Sequence, residues 1–161
     1  MGTRGCVGFV KDGKEKIGYN GHNSYPSDLG NTIIDFLNGK SYKELNNICD
    51  EIILTDDGDN NAFNFETNSF NKTFEDYSSF LANSLFCEYA YIINLDEKVL
   101  EFYTGNNKNP NGNGRYAHLS SKYETRYYGV VLKKRIPLSK FFKGKIMVVN
   151  ELFVEQRITT E

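Results

Sequence analysis

The stretch Y-N-G-H-N-S-Y-P-S-D-L-G, Tyr19 to Gly30, concentrates the side chains best suited to hold a ligand. Asn20, His22, Asn23, Ser24 and Tyr25 offer hydrogen-bond donors and acceptors within a few positions. Tyr19 and Tyr25 add aromatic faces, and Pro26 stiffens the exit. Ser27 or Asp28 can cap a following helix, whose free N–H groups would attract an anion. The alternative is an Asx-rich turn that only caps that helix. A second candidate is Thr3-Arg4 at the start of the opening strand. The planar guanidinium of Arg4 suits a carboxylate or phosphate. Its alternative role is a salt bridge at a strand edge.

Other chemistries find less support. His22 could act as a base or ligand, but no carboxylate stands near it in sequence. Ser24 lacks the G-x-S-x-G setting of an activated serine. Pairing of Cys6 with His22, or of Cys87 with His118, is a geometric option without a supporting motif. Cys6, Cys49 and Cys87 contain no C-x-x-C, which excludes a zinc cluster of that kind. Asp56 to Asn61 resembles a calcium loop but carries Ala62 where the sixth position needs Gly, and Asn68 at the twelfth. Gly112 and Gly114 do not form a nucleotide-binding glycine fingerprint. No catalytic residue, metal or cofactor is therefore assigned.

The elements that must position these residues follow from pattern. Cys6 to Val10 and Lys14 to Asn20 read as a hairpin about Asp12-Gly13. Ile33, Ile34 and Leu37 share a helical face that Gly39 ends. Ser41 with Glu44 is a capping box opening a second helix with Leu45, Ile48, Cys49 and Ile52 on one side. Thr55 to Lys72 is polar, a surface excursion pinned by Phe63, Phe65 and Phe70. Thr73 with Asp76 predicts a third helix bearing Phe74, Tyr77, Leu81 and Leu85. Glu88 to Asn94 and Val99 to Tyr103 form a second hairpin about Asp96-Glu97. Thr104 to Arg115 has almost no apolar atoms, and a mobile loop is expected near 104–116. Tyr127 to Arg135 predicts a further strand whose L-K-K-R basic residues keep an edge soluble. Ser139 to Phe142 suits a helical turn, and Lys145 to Val154 a last strand or tail. This order, ββααα-ββ-β(β), predicts one α+β domain over 1–161, with a mostly antiparallel sheet and helices packed on one face.

At 161 residues the chain can bury a core without disulfides or metals. With 11 Tyr and 12 Phe but no Trp, these rings must supply much of its volume. A net charge of −2 offers no broad surface for nucleic acid or an anionic membrane, and is too small for a DNA mimic. No apolar run reaches bilayer length, and no signal peptide opens the chain. Three scattered cysteines fit reduced core residues of a cytoplasmic protein.

The N-terminus resembles an uncharacterised family found in phages, large DNA viruses, bacteria and fungi. The residues are Met1-Gly2-Thr3-Arg4-Gly5, Gly8-Phe9, Tyr19-Asn20, Ser24-Tyr25-Pro26 and Leu29-Gly30. Glu88-Tyr89-Ala90-Tyr91 with Asn94-Leu95-Asp96 is similar to that family's later hairpin. The likeness implies that Thr3, Arg4, Tyr19, Asn20, Ser24, Tyr25 and Pro26 form one constellation. Asn23 stands where the family carries Asp, a change that binding tolerates better than acid–base chemistry does. Together these residues predict a binding protein for a small polar or anionic molecule, with Arg4 and Tyr25 facing each other across a shared hollow. The resemblance implies a phage- or virus-encoded counter-defence role, capture of a host nucleotide signal. The alternatives are a small N-terminal-nucleophile-like hydrolase, or an inhibitor that docks on a host defence protein through its aromatic surface and Asn-rich loop. A hydrolase of that kind is awkward here, because removal of Met1 exposes Gly2 and leaves Thr3 internal. The chain carries no signal for oligomeric state.

Overall fold

Asp12 and Gly13 both adopt positive φ, 55° and 73°, and close a two-residue turn between β1 (Gly5–Lys11) and β2 (Lys14–Asn20). This primed-turn geometry matches the twist of paired strands, and Asp and Gly enter it readily. The computed structural model describes residues 3–122 and 124–142. After β2 the chain makes a π-helical turn at Pro26–Gly30 and runs into α1 (Asn31–Leu37) and α2 (Tyr42–Glu51). The capping box of α2 is formed in both directions, Ser41 Oγ accepting from the Glu44 N–H and Glu44 from the Ser41 N–H. Then come β3 (Ile53–Asp59), β4 (Phe63–Asn64), β5 (Ser69–Phe70) and β6 (Thr73–Phe74). The chain re-enters the main sheet as β7 (Tyr89–Asn94) and β8 (Val99–Thr104), and β9 (Val131–Pro137) completes it.

The five-stranded sheet has the order β2-β1-β7-β8-β9. The fold is α+β; neighbouring strands of this sheet are antiparallel except for β1 with β7, and β3 runs parallel to β6 in a small separate sheet. The parallel β1–β7 pair requires a long crossover, which the helices and small sheets provide. The period-two alternation of β1 sorts its side chains between two apolar layers. Val7 and Phe9 join α1, α2, Phe63, Phe70, Tyr91 and Phe102 on one face. Cys6 and Val10 join Ile17, Ile92, Tyr103, Leu81, Tyr116 and Val130 on the other. The helices therefore cover a single face, as predicted. No helix among the described residues is long and apolar enough to cross a membrane.

The third predicted helix is not formed. Thr73–Phe74 is a strand, and only a 3-10 turn at Ser78–Ala82 follows. Tertiary partners take the backbone groups a helix would need: the Glu75 N–H bonds Asp59 O, and the Tyr77 N–H bonds Ile17 O on β2. The strand expected from Tyr127 starts at Val131 for the same reason. The Tyr128 and Val130 N–H groups are held by Asn107 O and Leu81 O. The Leu138–Phe141 turn agrees with the helical turn expected near Ser139. Lys145 to Val154 lies outside the described residues.

The polar span 105–115 is tied down by hydrogen bonds, and Tyr116 at its end packs into the second apolar layer. Asn107 is buried, its amide donating to Ala117 O and Gly129 O while its N–H bonds Ser84 Oγ. Further along, the Leu132 N–H of β9 bonds Asn113 O. An Asn-rich segment can thus be anchored without burying carbon, because its side-chain amides substitute for backbone partners.

Candidate functional site

The Tyr19–Gly30 loop is built from inside. Asn20 Nδ2 donates to His22 O at 2.7 Å and to Ser24 Oγ at 2.8 Å. Tyr91 OH donates to Ser24 O at 2.8 Å. Burial pushes the Tyr91 phenol well up from its ordinary pKa, which keeps it a neutral donor. Asn20 and Ser24 are buried, so among the described residues these polar groups hold the loop and do not face solvent. Thr3 is also buried, and its Oγ1 has no hydrogen-bond partner among the described residues. Asn23 sits at φ 59°, a left-handed conformation that Asn and Asp adopt more readily than other residues. His22 is exposed at the same bend.

Arg4 and Tyr25 are not brought into one hollow. A Cβ on Gly5 would lie 3.1 Å from Ser24 Cβ, so the loop covers the helix-bearing face of β1. Tyr25, 46% exposed, packs at 5.8 Å on Tyr89, which belongs to that same side. Continued by one residue, the alternation of β1 sends Arg4 to the Cys6 side. There its guanidinium carbon stands 4.6 Å from the centroid of Phe86. Tyr19 is on the Cys6 side too, stacked on Tyr77 at 5.0 Å. The predicted constellation is therefore divided between the two faces of the sheet.

A group of described residues that line a cleft together lies at the other end of the second face. Asn94 and Glu101 point to this face from β7 and β8, and Tyr103 follows two residues on. Glu101 is only 2% exposed, yet four donors meet it. Arg115 binds it through both terminal nitrogens at 2.7 Å, Tyr103 OH at 2.8 Å and Asn94 Nδ2 at 3.2 Å. Arg115 also donates to Tyr116 OH at 3.0 Å, which donates in turn to Glu15 on β2 at 2.6 Å. This chain of polar contacts spans the sheet from β8 to β2.

The electrostatics of the cluster are mutually consistent. Burial, then the charge of Glu101, pushes the Tyr103 phenol far up. Burial and the bond to Glu15 do the same for Tyr116. Burial works against the Arg115 cation, but Glu101 and Tyr116 outweigh it and the guanidinium is raised. Both phenols therefore stay protonated and Arg115 stays charged, so Tyr103 and Arg115 can donate to Glu101 and Tyr116 to Glu15.

A cleft of about 410 Å³ opens beside this cluster. Glu101, Tyr103 and Leu132 form its inner wall, and Gly114 and Arg115 form the loop side. Glu97 and Arg135 stand at its rim as an ion pair, 54% and 46% exposed. Gly114 at φ 97° lets the loop lie directly on the sheet, since a Cβ there would be 2.7 Å from Leu132 Cβ. The size falls in the range of small-molecule sites.

No family model, curated protein or solved structure matches this chain. The site is therefore read from its own residues. None of Glu97, Glu101, Arg115 or Arg135 was singled out from sequence. One signal pointed to the pair at its centre: Val99-Leu100-Glu101-Phe102-Tyr103 places a lone carboxylate in an otherwise apolar strand. A buried carboxylate requires a cation, and Arg115 is the first arginine after it.

Proposed function

We propose that this protein binds a small polar molecule through an anionic group, in the cleft between Gly114-Arg115 and the β8–β9 strands. One observation carries this reading: two guanidinium groups line a cavity whose buried carboxylate is already fully satisfied. Glu101 has its four donors, so it adds no unspent negative charge to the opening. Arg115 is spent on Glu101, which leaves Arg135, with its exposed and exchangeable partner Glu97, as the cation that a ligand can engage at the opening. A phosphate or carboxylate matches the fork of a guanidinium. The site expected at Arg4 and Tyr25 is thus moved, while the expected ligand chemistry is retained. The family resemblance adds a biological form of the same reading, in which the ligand is a nucleotide signal of a host and the protein a counter-defence factor.

Binding is favoured over hydrolysis by the state of the nucleophiles. Cys6 and Cys87 are buried, and burial, with the adjacent Cys87, raises the Cys6 thiol well above its usual pKa. Ser24 Oγ bonds Asn20 and no base among the described residues.

Isothermal titration with inorganic phosphate, mononucleotides and cyclic nucleotides tests the proposal. Heat should be released on binding at low salt and decrease as salt rises. Arg135→Ala should abolish it without altering the far-UV spectrum. Failure of every anion to bind, or binding undiminished in Arg135→Ala, would overturn it.

A further inference from the structure

The two glutamates of the cleft differ in a way that assigns them different tasks. Glu101 is 2% exposed and held by four donors, so no solute can displace it. Glu97 is 54% exposed, and its carboxylate is paired with Arg135, itself 46% exposed. Exposed pairs of this kind contribute little net free energy and exchange readily.

The backbone around Glu97 is nevertheless fixed. The Glu97 N–H donates to Asn94 Oδ1 at 3.0 Å, and the same Asn94 side chain donates to Glu101. Next to it, the Asp96 carboxylate accepts from the Asp12 and Gly13 N–H groups at 2.7 and 2.9 Å. The turn between β7 and β8 is thus clamped to the turn between β1 and β2. Glu97 is presented to the cleft on a hydrogen-bonded base with a solvent-exposed carboxylate. Arg135 lies opposite Glu101 in the strand register, but Arg115 already occupies Glu101. The fork of Arg135 is left to an exchangeable carboxylate.

We propose that Glu97 is a built-in stand-in for the ligand, and that an oxyanion enters the site by taking its place on Arg135. The ligand class is a phosphate or carboxylate with two oxygens free to face one guanidinium. This rests on the cleft being the binding site. Glu97 then sets a threshold: an oxyanion that can face the Arg135 guanidinium with two oxygens displaces it, and weakly coordinating anions do not.

The test compares wild type, Glu97→Gln and Glu97→Ala with inorganic phosphate, a nucleoside monophosphate, acetate and the unphosphorylated nucleoside as probes. Both variants keep the backbone N–H that Asn94 accepts. Removing the competitor should tighten phosphate and monophosphate binding by about two- to five-fold. Arg135→Ala should abolish it in either background, and the bare nucleoside should not bind. A tighter response to acetate as well as phosphate assigns the site to oxyanions generally, and a response to phosphate alone to phosphoryl groups. If wild type binds and both Glu97 variants bind equally or more weakly, the displacement proposal is overturned while the cleft remains the site. If neither wild type nor the variants bind any oxyanion, the binding site itself is refuted.

Discussion

Replacing Arg115 by alanine should be the most damaging single change on the polar face of the sheet. The substitution removes both guanidinium bonds from a carboxylate that is 2% exposed, leaving Tyr103 and Asn94 as its donors. Stranding a buried charge in this way typically costs about 3–5 kcal/mol. Water reaches 38% of the Arg115 side chain, and two neutral donors remain, so the lower part of that range, about 3 kcal/mol, is expected here. For a chain of this size that corresponds to a melting temperature lower by about 6–12 °C. Glu101→Gln provides the internal control. It leaves a cation that solvent can reach and that still bonds Tyr116, so its loss should be smaller by at least about 1 kcal/mol. Urea unfolding at pH 7, with slopes compared across the variants, measures both. A loss below about 1 kcal/mol in Arg115→Ala, or an equal loss in Glu101→Gln, would refute the claim that this pair is energetically buried.

Other outcomes are equally specific. The Gly13 and Asp12 N–H groups hold the Asp96 carboxyl below its usual pKa, so its contribution is present above the ordinary aspartate value and fades as pH falls through the depressed one. Unfolding measured from pH 3 to 7 should show Asp96→Asn below wild type at neutral pH, with the two curves converging in acid. Tyr91→Phe leaves Ser24 O without its buried donor and should lose about 1–3 kcal/mol in the same denaturation assay. Gly18→Ala places a Cβ 2.5 Å from Ala62 Cβ and 2.6 Å from Phe74 Cδ1, an overpacking expected to cost about 1–3 kcal/mol by thermal unfolding. Thiol labelling of the native protein should modify none of the three buried cysteines on the timescale that labels all of them in urea.

Local chemistry along the chain determined the pieces whose partners lie nearby in sequence. Asp12-Gly13 specified the first turn, Ser41 and Glu44 the start of α2, and strand alternation the β7–β8 hairpin. The α+β class and the single helical face follow from those pieces. Thr73 to Leu85 carried helical spacing as well, but the backbone partners at Asp59 and Ile17 come from distant strands and outweigh that local preference. The division of Arg4 from Tyr25 was set by the parity of one strand together with the side on which the loop returned, which no spacing rule encodes. The cleft depended most on tertiary structure. Glu15, Glu101 and Arg115 are far apart in sequence, and only the order β2-β1-β7-β8-β9 places the first across the sheet from the other two. Short-range preference decides where the backbone turns. Which charges meet, and which stay open to a ligand, is decided when the sheet closes and its buried carboxylate must find a cation.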